Sequence, residues 1–127
     1  VPVLGWRHDW FPAFYTRSAG LRVPHRVESA AEVAAVLSNR SRKQTGVLVG
    51  VPIPQAAELD PAELDAVLTQ ALADCDDAGI SGAAITPFVL GRIAQVTDGR
   101  SIPANLALAE NNARVAAAIA VAVAVTE

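Results

Sequence analysis

The sequence predicts an α/β fold in which helices pack on a mostly parallel sheet. Continuous apolar runs, typical of strands buried on both faces, alternate along the chain with segments whose apolar residues recur at helical spacing. Alanine and valine dominate, and aromatic residues make up only 5% of the chain. With 127 residues and about four predicted strands, the chain holds at most half of a usual doubly wound domain.

The first third of the chain predicts two strands separated by a loop. Val1–Leu4 reads as the tail of a buried strand that ends at Gly5. Residues 6–17 hold both tryptophans and the only tyrosine but fit neither a helical nor a strand period, so we expect a loop packed by its own side chains. Val23–Val27 contains Pro24 and suits an edge strand.

The next segment predicts a helix followed by a buried strand. Ser29 and Glu32 have the spacing of a capping box, which opens a helix that ends among residues 39–43. The apolar run Gly46–Val51 is typical of a strand covered on both faces. The segment 52–54, which reads Pro-Ile-Pro, ends that strand.

The second half of the chain is predicted to be mainly helical. Asp60 as N-cap and Pro61 at the first helical position open a helix that Gly79 closes. Its predicted apolar stripe consists of Leu64, Val67, Leu68, Ala71, Leu72 and Cys75.

Two further helices are predicted after a short strand at Ala83–Ile85. The first helix starts at Thr86-Pro87 and ends near Gly99. Ser101 caps the second, a long alanine-rich helix in which apolar residues repeat every four positions.

Charge and cysteine content argue against several classes of protein. The net charge is −3 and the basic residues are scattered, so no nucleic-acid partner is expected. The single cysteine, Cys75, excludes a disulfide framework and a cysteine-ligated metal site, and it is expected to be a core residue.

The apolar run Val115–Val125 is shorter than the roughly 20 residues of a membrane span. The start lacks a signal-peptide pattern, so we expect a cytoplasmic protein without a membrane partner. Methionine is absent even at position 1, and we interpret the chain as a fragment.

Three blocks of sequence, taken together, resemble one known family. They are FPAFYTRSAGLRVPHRV at 11–27, GVLV with PIP at 46–54, and TPF at 86–88 followed by GRS, ANLAL and NNAR between 99 and 114. In this order and spacing they resemble the pseudouridine-5′-phosphate glycosidases, a family that also contains C-glycosyl synthases of the alnumycin and indigoidine type. The resemblance covers nearly the whole chain, residues 1–127, and corresponds to the C-terminal portion of a larger single α/β domain.

The resemblance implies an activity and a set of partners. Members cleave or form the carbon–carbon bond between ribose 5-phosphate and an aglycone such as uracil. A lysine forms a Schiff base with the opened sugar, because a C-glycosidic bond has no leaving oxygen to protonate. An acidic residue moves protons, and a manganese ion lies near the phosphate. Members are homotrimers, so we expect this chain to take part in a homotrimer.

The family's catalytic and metal-binding residues all lie upstream of the part that this chain resembles. Lys43 is the only lysine here and matches no catalytic motif. We therefore expect no catalytic or metal-binding residue in this chain, an upstream segment of the same enzyme as its partner, and no activity of the chain alone.

Three asparagines are the leading candidates for substrate binding. Asparagine is a poor helix former, yet Asn105, Asn111 and Asn112 lie within one predicted helix. Asn111 and Asn112 point about 100° apart, so one can face a pocket while the other faces away. They are predicted to bind ribose hydroxyls or phosphate; alternatively, each is a buried group satisfied by a loop carbonyl.

Thr86, Trp6 and His8 complete the set of candidate binding residues. Thr86 lies at a helix N-terminus, which suits phosphate, although helix capping explains it equally well. Trp6 lies at the start of the predicted loop at residues 6–17 and is placed to stack on a flat aglycone, unless this loop is a small satellite core. His8 has the chemistry of an acid or base near neutral pH, whereas His25 is expected to be structural.

Three arginines near one edge of the predicted sheet have two interpretations. Arg17, Arg22 and Arg26 either clamp phosphate or pair with nearby acids.

Two departures from the family pattern, at residues 6–10 and at Val51 where members often have asparagine, remove polar groups that uracil would use. They favour a larger or more apolar aglycone and hence a C-ribosylating synthase as an alternative. A second alternative is a non-catalytic assembly fragment with an exposed apolar final helix.

Overall fold

The computed structural model describes residues 1–126, in which strands and helices follow the order of an α/β protein. The strands are β1 (Val3–Trp6), β2 (His25–Val27) and β3 (Leu48–Gly50), and the helices are α1 (Ala30–Asn39), α2 (Pro61–Asp77), α3 (Ile85–Val96) and α4 (Ser101–Thr126). Short 3-10 turns lie at Gln55–Ala57 and Gly82–Ala84. The predicted class, helices on a parallel sheet, is confirmed.

The described strands form a sheet in the order β2-β1-β3, with both pairs parallel. β2 lies at one edge directly after Pro24, as predicted. The expectation that β3 is covered on both faces is wrong for the described residues, because Leu48 is 55% exposed. β3 is the other edge strand, and the partly buried Val47 and Val49 pack on the side of α1 and α4.

The segment 7–22, here called the aromatic loop, folds back as an irregular hairpin. The Phe11 N–H donates to the Leu21 carbonyl and the Val23 N–H donates to the Asp9 carbonyl, at 2.8 and 2.9 Å. The expected packing of the loop by its own side chains is found between Phe14 and Tyr15, whose ring centroids are 4.6 Å apart, but Tyr15 is also 3% exposed and enters the main core. A buried aromatic ring gains more from that core than from its loop neighbours.

Two glycines explain why the aromatic loop lies so close to the sheet. Gly5 and Gly50 are register partners in β1 and β3. A Cβ atom on Gly5 would collide with the His8 carbonyl oxygen, and one on Gly50 would lie 3.1 Å from the Cδ of Pro12. The side-chain-free patch therefore lets the loop backbone cover the end of the sheet.

Buried residues form two clusters that α4 connects. The helical cluster consists of Tyr15, Ile53, Leu59, Leu64, Val67, Ile93, Ala104 and Leu108. The sheet cluster consists of buried Leu4, Val27 and Val33 with partly buried Trp6, Val36, Leu37, Val47, Val49 and Ile119 around them. The first half of α4 thus packs in the helical cluster, while its second half packs on α1.

Two helix starts follow the capping predictions, whereas Ser101 is the first residue of α4 and not the residue before it. The Glu32 N–H donates to Ser29 Oγ at 3.3 Å, and the Glu32 carboxylate reaches back to accept from the Glu28 N–H at 2.7 Å. Asp60 Oδ1 accepts from the Ala62 N–H at 2.8 Å and begins α2. These side chains satisfy amides that the helices leave without partners.

Two details of the second half differ from the prediction. The strand at Ala83–Ile85 is wrong, since this segment forms a 3-10 turn that leads into α3. Such a short apolar run does not distinguish strand from helix, and Gly82 with φ of +61° begins a tight turn. Leu72 is 51% exposed, so the buried stripe of α2 is narrower than predicted.

α4 is longer and more apolar than any single run in the sequence indicates. It has 26 residues, and an 18-residue window of it has a mean hydropathy of 1.4, so by length and composition alone it is long and apolar enough to cross a membrane. Ala104, Leu108 and Val115 pack against protein. Only 11% of the window is buried, however, so much of this helix presents small apolar residues outward.

Candidate functional site

The carboxyl ends of the parallel strands meet at one edge of the sheet, here called the carboxyl edge. The chain leaves β1 at Arg7, β2 at Glu28 and β3 at Val51, all at this edge. In open parallel sheets ligands bind in the crevice at this edge. A candidate residue near the carboxyl edge is therefore placed to contact a ligand, and one far from this edge is not.

Asn111 lies beside the turn that follows β3. Its side chain is half-buried, and its amide Nδ2 donates to the Pro52 carbonyl across 3.4 Å. This contact matches the alternative in which a loop carbonyl satisfies the asparagine. Asn111 thus joins α4 to the carboxyl edge and helps to hold the turn there.

Asn112 points about 100° away from Asn111 and is exposed. It lies at one end of an apolar groove of about 680 Å³, here called the α4 groove. The groove is lined by Leu37, Val47, Val49, Val51, Asn112, Val115, Ala116, Ile119, Ala120, Val123 and Ala124. Asn112 is the only polar side chain among these lining residues, and it shares its end of the groove with Val51.

Asn105 lies on the same face of α4 as Asn112. Seven positions are close to two helical turns, so the two side chains point about 20° apart and are separated by about 10 Å along the axis. Asn105 is exposed and does not line the α4 groove. The structure therefore aligns these two asparagines on one face and turns Asn111 inward.

His8 lies in the aromatic loop, just beyond the end of β1. Its Nε2 is 2.7 Å from the Arg17 carbonyl oxygen, and since a carbonyl only accepts, Nε2 carries the hydrogen. Trp6 packs in the sheet cluster instead, with the Arg7 guanidinium 5.2 Å from its ring centroid. The backbone of His8 crosses the face of the sheet to which a Cβ atom on Gly5 would point. Since neighbouring residues of a strand face opposite sides, this is the face opposite to that of the Trp6 side chain. The two candidates are thus on opposite faces of β1.

Arg17 makes a cross-link that the sequence did not reveal. Its backbone N–H donates to the Glu58 carboxylate at 2.7 Å, and its guanidinium donates to the Ile53 carbonyl at 2.6 Å. The pair Arg17–Glu58 is separated by 41 positions, so no local signal identifies it. This cross-link ties the aromatic loop to the turn after β3.

The other two arginines of the first block also have partners. Arg26 pairs with Glu28 and, at 3.2 Å, with Asp9, and this pairing raises the pKa of Arg26. The guanidinium of Arg22 lies 4.9 Å from the ring centroid of Trp10. The structure therefore gives each of the two arginines a local partner.

Thr86 lies away from these residues. It is the second residue of α3, where the preceding 3-10 turn already leads into the helix, and it makes no capping hydrogen bond. α2 and α3 form an antiparallel pair in which the Arg92 guanidinium lies 3.7 Å from Asp74. Thr86 is at the end of this pair remote from the helical cluster residue Leu64. The structure does not bring Thr86 to the α4 groove.

Lys43 lies at the far edge of the sheet from the candidate binding residue Asn112. Lys43 precedes β3 and so lies at the edge of the sheet opposite Asn112, where its Nζ donates to the Ser38 carbonyl at 2.8 Å. Within residues 1–126 no three His, Cys, Asp or Glu side chains are grouped closely enough to hold a metal ion.

Comparison with known proteins places these features in one family. Residues 1–122 match the sequence profile of the family described as Indigoidine synthase A like protein. The chain is 45% identical over 123 residues to a pseudouridine-5′-phosphate glycosidase of Caldanaerobacter subterraneus subsp. tengcongensis, covering 95% of this chain and 40% of that protein. It is 48% identical over 122 residues to one of Nocardioides sp., covering 94% and 40%. The resemblance found in the sequence is confirmed.

Solved structures agree with the fold. The crystal structure of the prealnumycin C-glycosynthase AlnA in complex with ribulose 5-phosphate matches with a TM-score of 0.86 at 30% identity, over 99% of this chain and 42% of that one. An indigoidine synthase A-like protein from Thermotoga maritima matches with a TM-score of 0.79 at 32% identity, over 100% and 41%. The chain thus spans about two-fifths of the length of the relatives it matches.

Proposed function

Because the chain belongs to the family of indigoidine synthase A like proteins, we propose that it forms part of an enzyme that cleaves or forms a C-glycosidic bond. The bond joins ribose 5-phosphate to a base or aromatic aglycone, as in pseudouridine 5′-phosphate. The identity of 45% to 48% with pseudouridine-5′-phosphate glycosidases over nearly the whole chain carries this proposal. The relative that binds ribulose 5-phosphate supports a sugar phosphate as ligand.

In this proposal the chain contributes substrate binding, and an upstream segment contributes the reacting groups. A lysine on that segment forms the Schiff base, and Lys43, at the opposite edge of the sheet, does not. Manganese, where the whole enzyme uses it, takes its ligands from outside residues 1–126 and supplies charge neutralisation near the phosphate. The chain alone is therefore inactive, and the complete enzyme is a cytoplasmic homotrimer.

Asn112 is the residue that we propose touches the sugar phosphate. It is exposed at the carboxyl edge, while the amide of its neighbour Asn111 is engaged by the Pro52 carbonyl. An amide donates two hydrogen bonds and accepts two, so a single free asparagine can bind a hydroxyl group or a phosphate oxygen. Asn105, further along the same face, is the second candidate for such a contact.

One observation favours synthesis over breakdown as the direction of reaction. Val51, which stands where the family pattern often has asparagine, lines the same end of the α4 groove as Asn112. An apolar wall at this point offers no hydrogen bond to a uracil ring but suits an extended aromatic acceptor. The second candidate function is therefore C-ribosylation of an aromatic compound.

A chimera tests these assignments. The part of the Caldanaerobacter enzyme that matches this chain is replaced by this chain, and turnover of pseudouridine 5′-phosphate is compared with ribosylation of a polycyclic phenol. Asn112→Ala is expected to lower kcat/KM about 10- to 100-fold if Asn112 donates to phosphate, and less than about 10-fold if it contacts a neutral hydroxyl. Val51→Asn is expected to shift the preference towards pseudouridine 5′-phosphate.

Two results would contradict the proposal. One is a folded, trimeric chimera that turns over neither substrate, which would remove the enzymatic function. The other is an unchanged kcat/KM in Asn112→Ala while Asn105→Ala loses activity, which would move the contact to Asn105. Circular dichroism of each variant separates loss of activity from loss of fold.

A further inference from the structure

The α4 groove is an apolar surface larger than a sugar phosphate requires. From Asn112 to Val123 it follows eleven residues of helix, or about 16 Å. Beyond Asn112 its lining is entirely aliphatic. An exposed apolar surface of this extent, in a chain with net charge −3, is typical of a surface that binds protein.

The free edge of β3 lies beside this groove. In a parallel pair, alternate residues direct both backbone groups to the same neighbour. The Leu48 N–H donates to the Pro2 carbonyl on the side of β1, so the backbone groups of Val47, Val49 and Val51 point to the free edge. The side chains of these same three residues line the groove. One added strand would therefore meet both the hydrogen-bonding edge and the apolar wall.

The length of the relatives indicates what covers this surface. The chain superposes over 99% of its length on the prealnumycin C-glycosynthase, yet it accounts for only 42% of that chain. The matched part of the Caldanaerobacter relative is likewise 40% of the whole. In these proteins the same fold is embedded in a polypeptide more than twice as long, so a large protein surface is available to pack against it.

We propose that the α4 groove and the free edge of β3 bind the remainder of the enzyme's own polypeptide, by addition of one strand beside β3 whose apolar side chains fill the groove up to its Asn112 end, which stays open to the substrate. About five residues of strand span the 16 Å between Asn112 and Val123. Such a strand would extend the parallel sheet and bring the upstream segment to the carboxyl edge next to Asn112. The proposal rests on the proposed function only in assigning both parts to one enzyme.

A binding experiment tests this surface without any turnover. The unmatched segment of the Caldanaerobacter relative is produced separately, and its Kd for this chain is measured by titration calorimetry, with light scattering to give the stoichiometry. Ala120→Asp places a charge in the middle of the groove, while Ala118→Asp places the same charge on an exposed position of α4 nearly opposite. Both substitutions carry the same change in helix propensity.

The expected result is a one-to-one complex that Ala120→Asp weakens at least about 100-fold, because an unpaired carboxylate would be buried. Ala118→Asp should change the Kd less than about threefold. Equal affinities of the two variants would overturn the proposal, and so would the absence of any complex with a segment that circular dichroism shows to be folded. Self-association of the chain that Ala120→Asp abolishes, without binding of the segment, would assign the groove to a second copy instead. Failure of the chimera's activity with intact binding would affect the proposed function alone.

Discussion

The helical cluster is closed, whereas the sheet cluster is open. Each member of the helical cluster is at most 8% exposed, and Ile53 is completely buried. The sheet cluster has only three buried residues, surrounded by partly buried ones, and it borders the α4 groove and the free edge of β3. This difference indicates that residues of this chain bury the helical cluster completely, whereas the sheet cluster is one part of a larger core. The candidate site around Asn112 lies at the boundary between them.

The largest expected effect comes from truncating one isoleucine in each cluster. Ile93 in α3 is 3% exposed in the helical cluster, while Ile119 in α4 is only partly buried in the sheet cluster. Ile93→Ala is expected to lower the free energy of unfolding by about 2–5 kcal/mol, since it leaves a cavity. Ile119→Ala is expected to cost about 1 kcal/mol, because a partly exposed side chain loses less on truncation.

Urea denaturation of the two variants measures this difference, and both residues lie in helices, so the gain in helix propensity cancels. A cost for Ile119→Ala equal to that for Ile93→Ala would mean that the sheet cluster is already closed. Addition of the unmatched segment of a relative sharpens the comparison. When the segment is bound, Ile119→Ala should lower the free energy of unfolding by a larger amount than in the chain alone. The loss caused by Ile93→Ala should stay unchanged.

A smaller effect is expected where the aromatic loop crosses the sheet. Gly5→Ala forces the new methyl group against the His8 carbonyl and the Val23 side chain, so the loop must move. We expect a loss of about 1–3 kcal/mol and a changed near-ultraviolet circular dichroism signal from the tryptophans. Gly46→Ala is the matched control, since a Cβ there meets no atom within 4 Å. Equal stability of both variants would show that the loop is not held against the sheet.

Contacts between neighbouring residues and contacts between distant ones differ in how well the sequence predicted them. Helix starts at Ser29 and Asp60 were predicted correctly, because a cap and its partner lie within three positions of each other. The contacts that build the site are between distant residues: Asn111 and Pro52 are 59 positions apart. No local pattern encodes such a pair. The sequence identified Asn111 and Asn112 as candidates because asparagine is a poor helix former, but only the packing of α4 shows that Asn111 faces inward and Asn112 outward.

The edge position of β3 was missed for a related reason. A run of valine and leucine indicates that a strand will be buried, but not which polypeptide buries it. Leu48 is exposed in the described chain, although its sequence context is that of an interior strand. The composition of β3 therefore agrees with a core that extends beyond these residues.

The smallest expected effect is confined to alkaline pH and concerns the helical cluster. Burial raises the pKa of Tyr15 above the usual 10.0, and a hydrogen bond with Ser101 acts in the opposite, weaker direction. Because the folded state holds the phenol proton more tightly, the unfolded chain releases it first as pH rises. The contribution of Tyr15 is therefore complete below pH 10.0 and is lost as pH rises through the raised pKa. Tyr15→Phe should remove this part of the pH dependence.

Urea midpoints of the wild-type chain and of Tyr15→Phe, measured at matched pH values on both sides of 10.0, test this prediction. All other ionisable groups are common to both proteins and cancel in the difference. The wild-type midpoint should fall more steeply with pH than that of the variant. Parallel curves would mean that the Tyr15 hydroxyl is as well solvated in the folded state as in the unfolded one. The aromatic loop would then be undocked from the helical cluster, and the contrast between a closed and an open region would no longer include the loop.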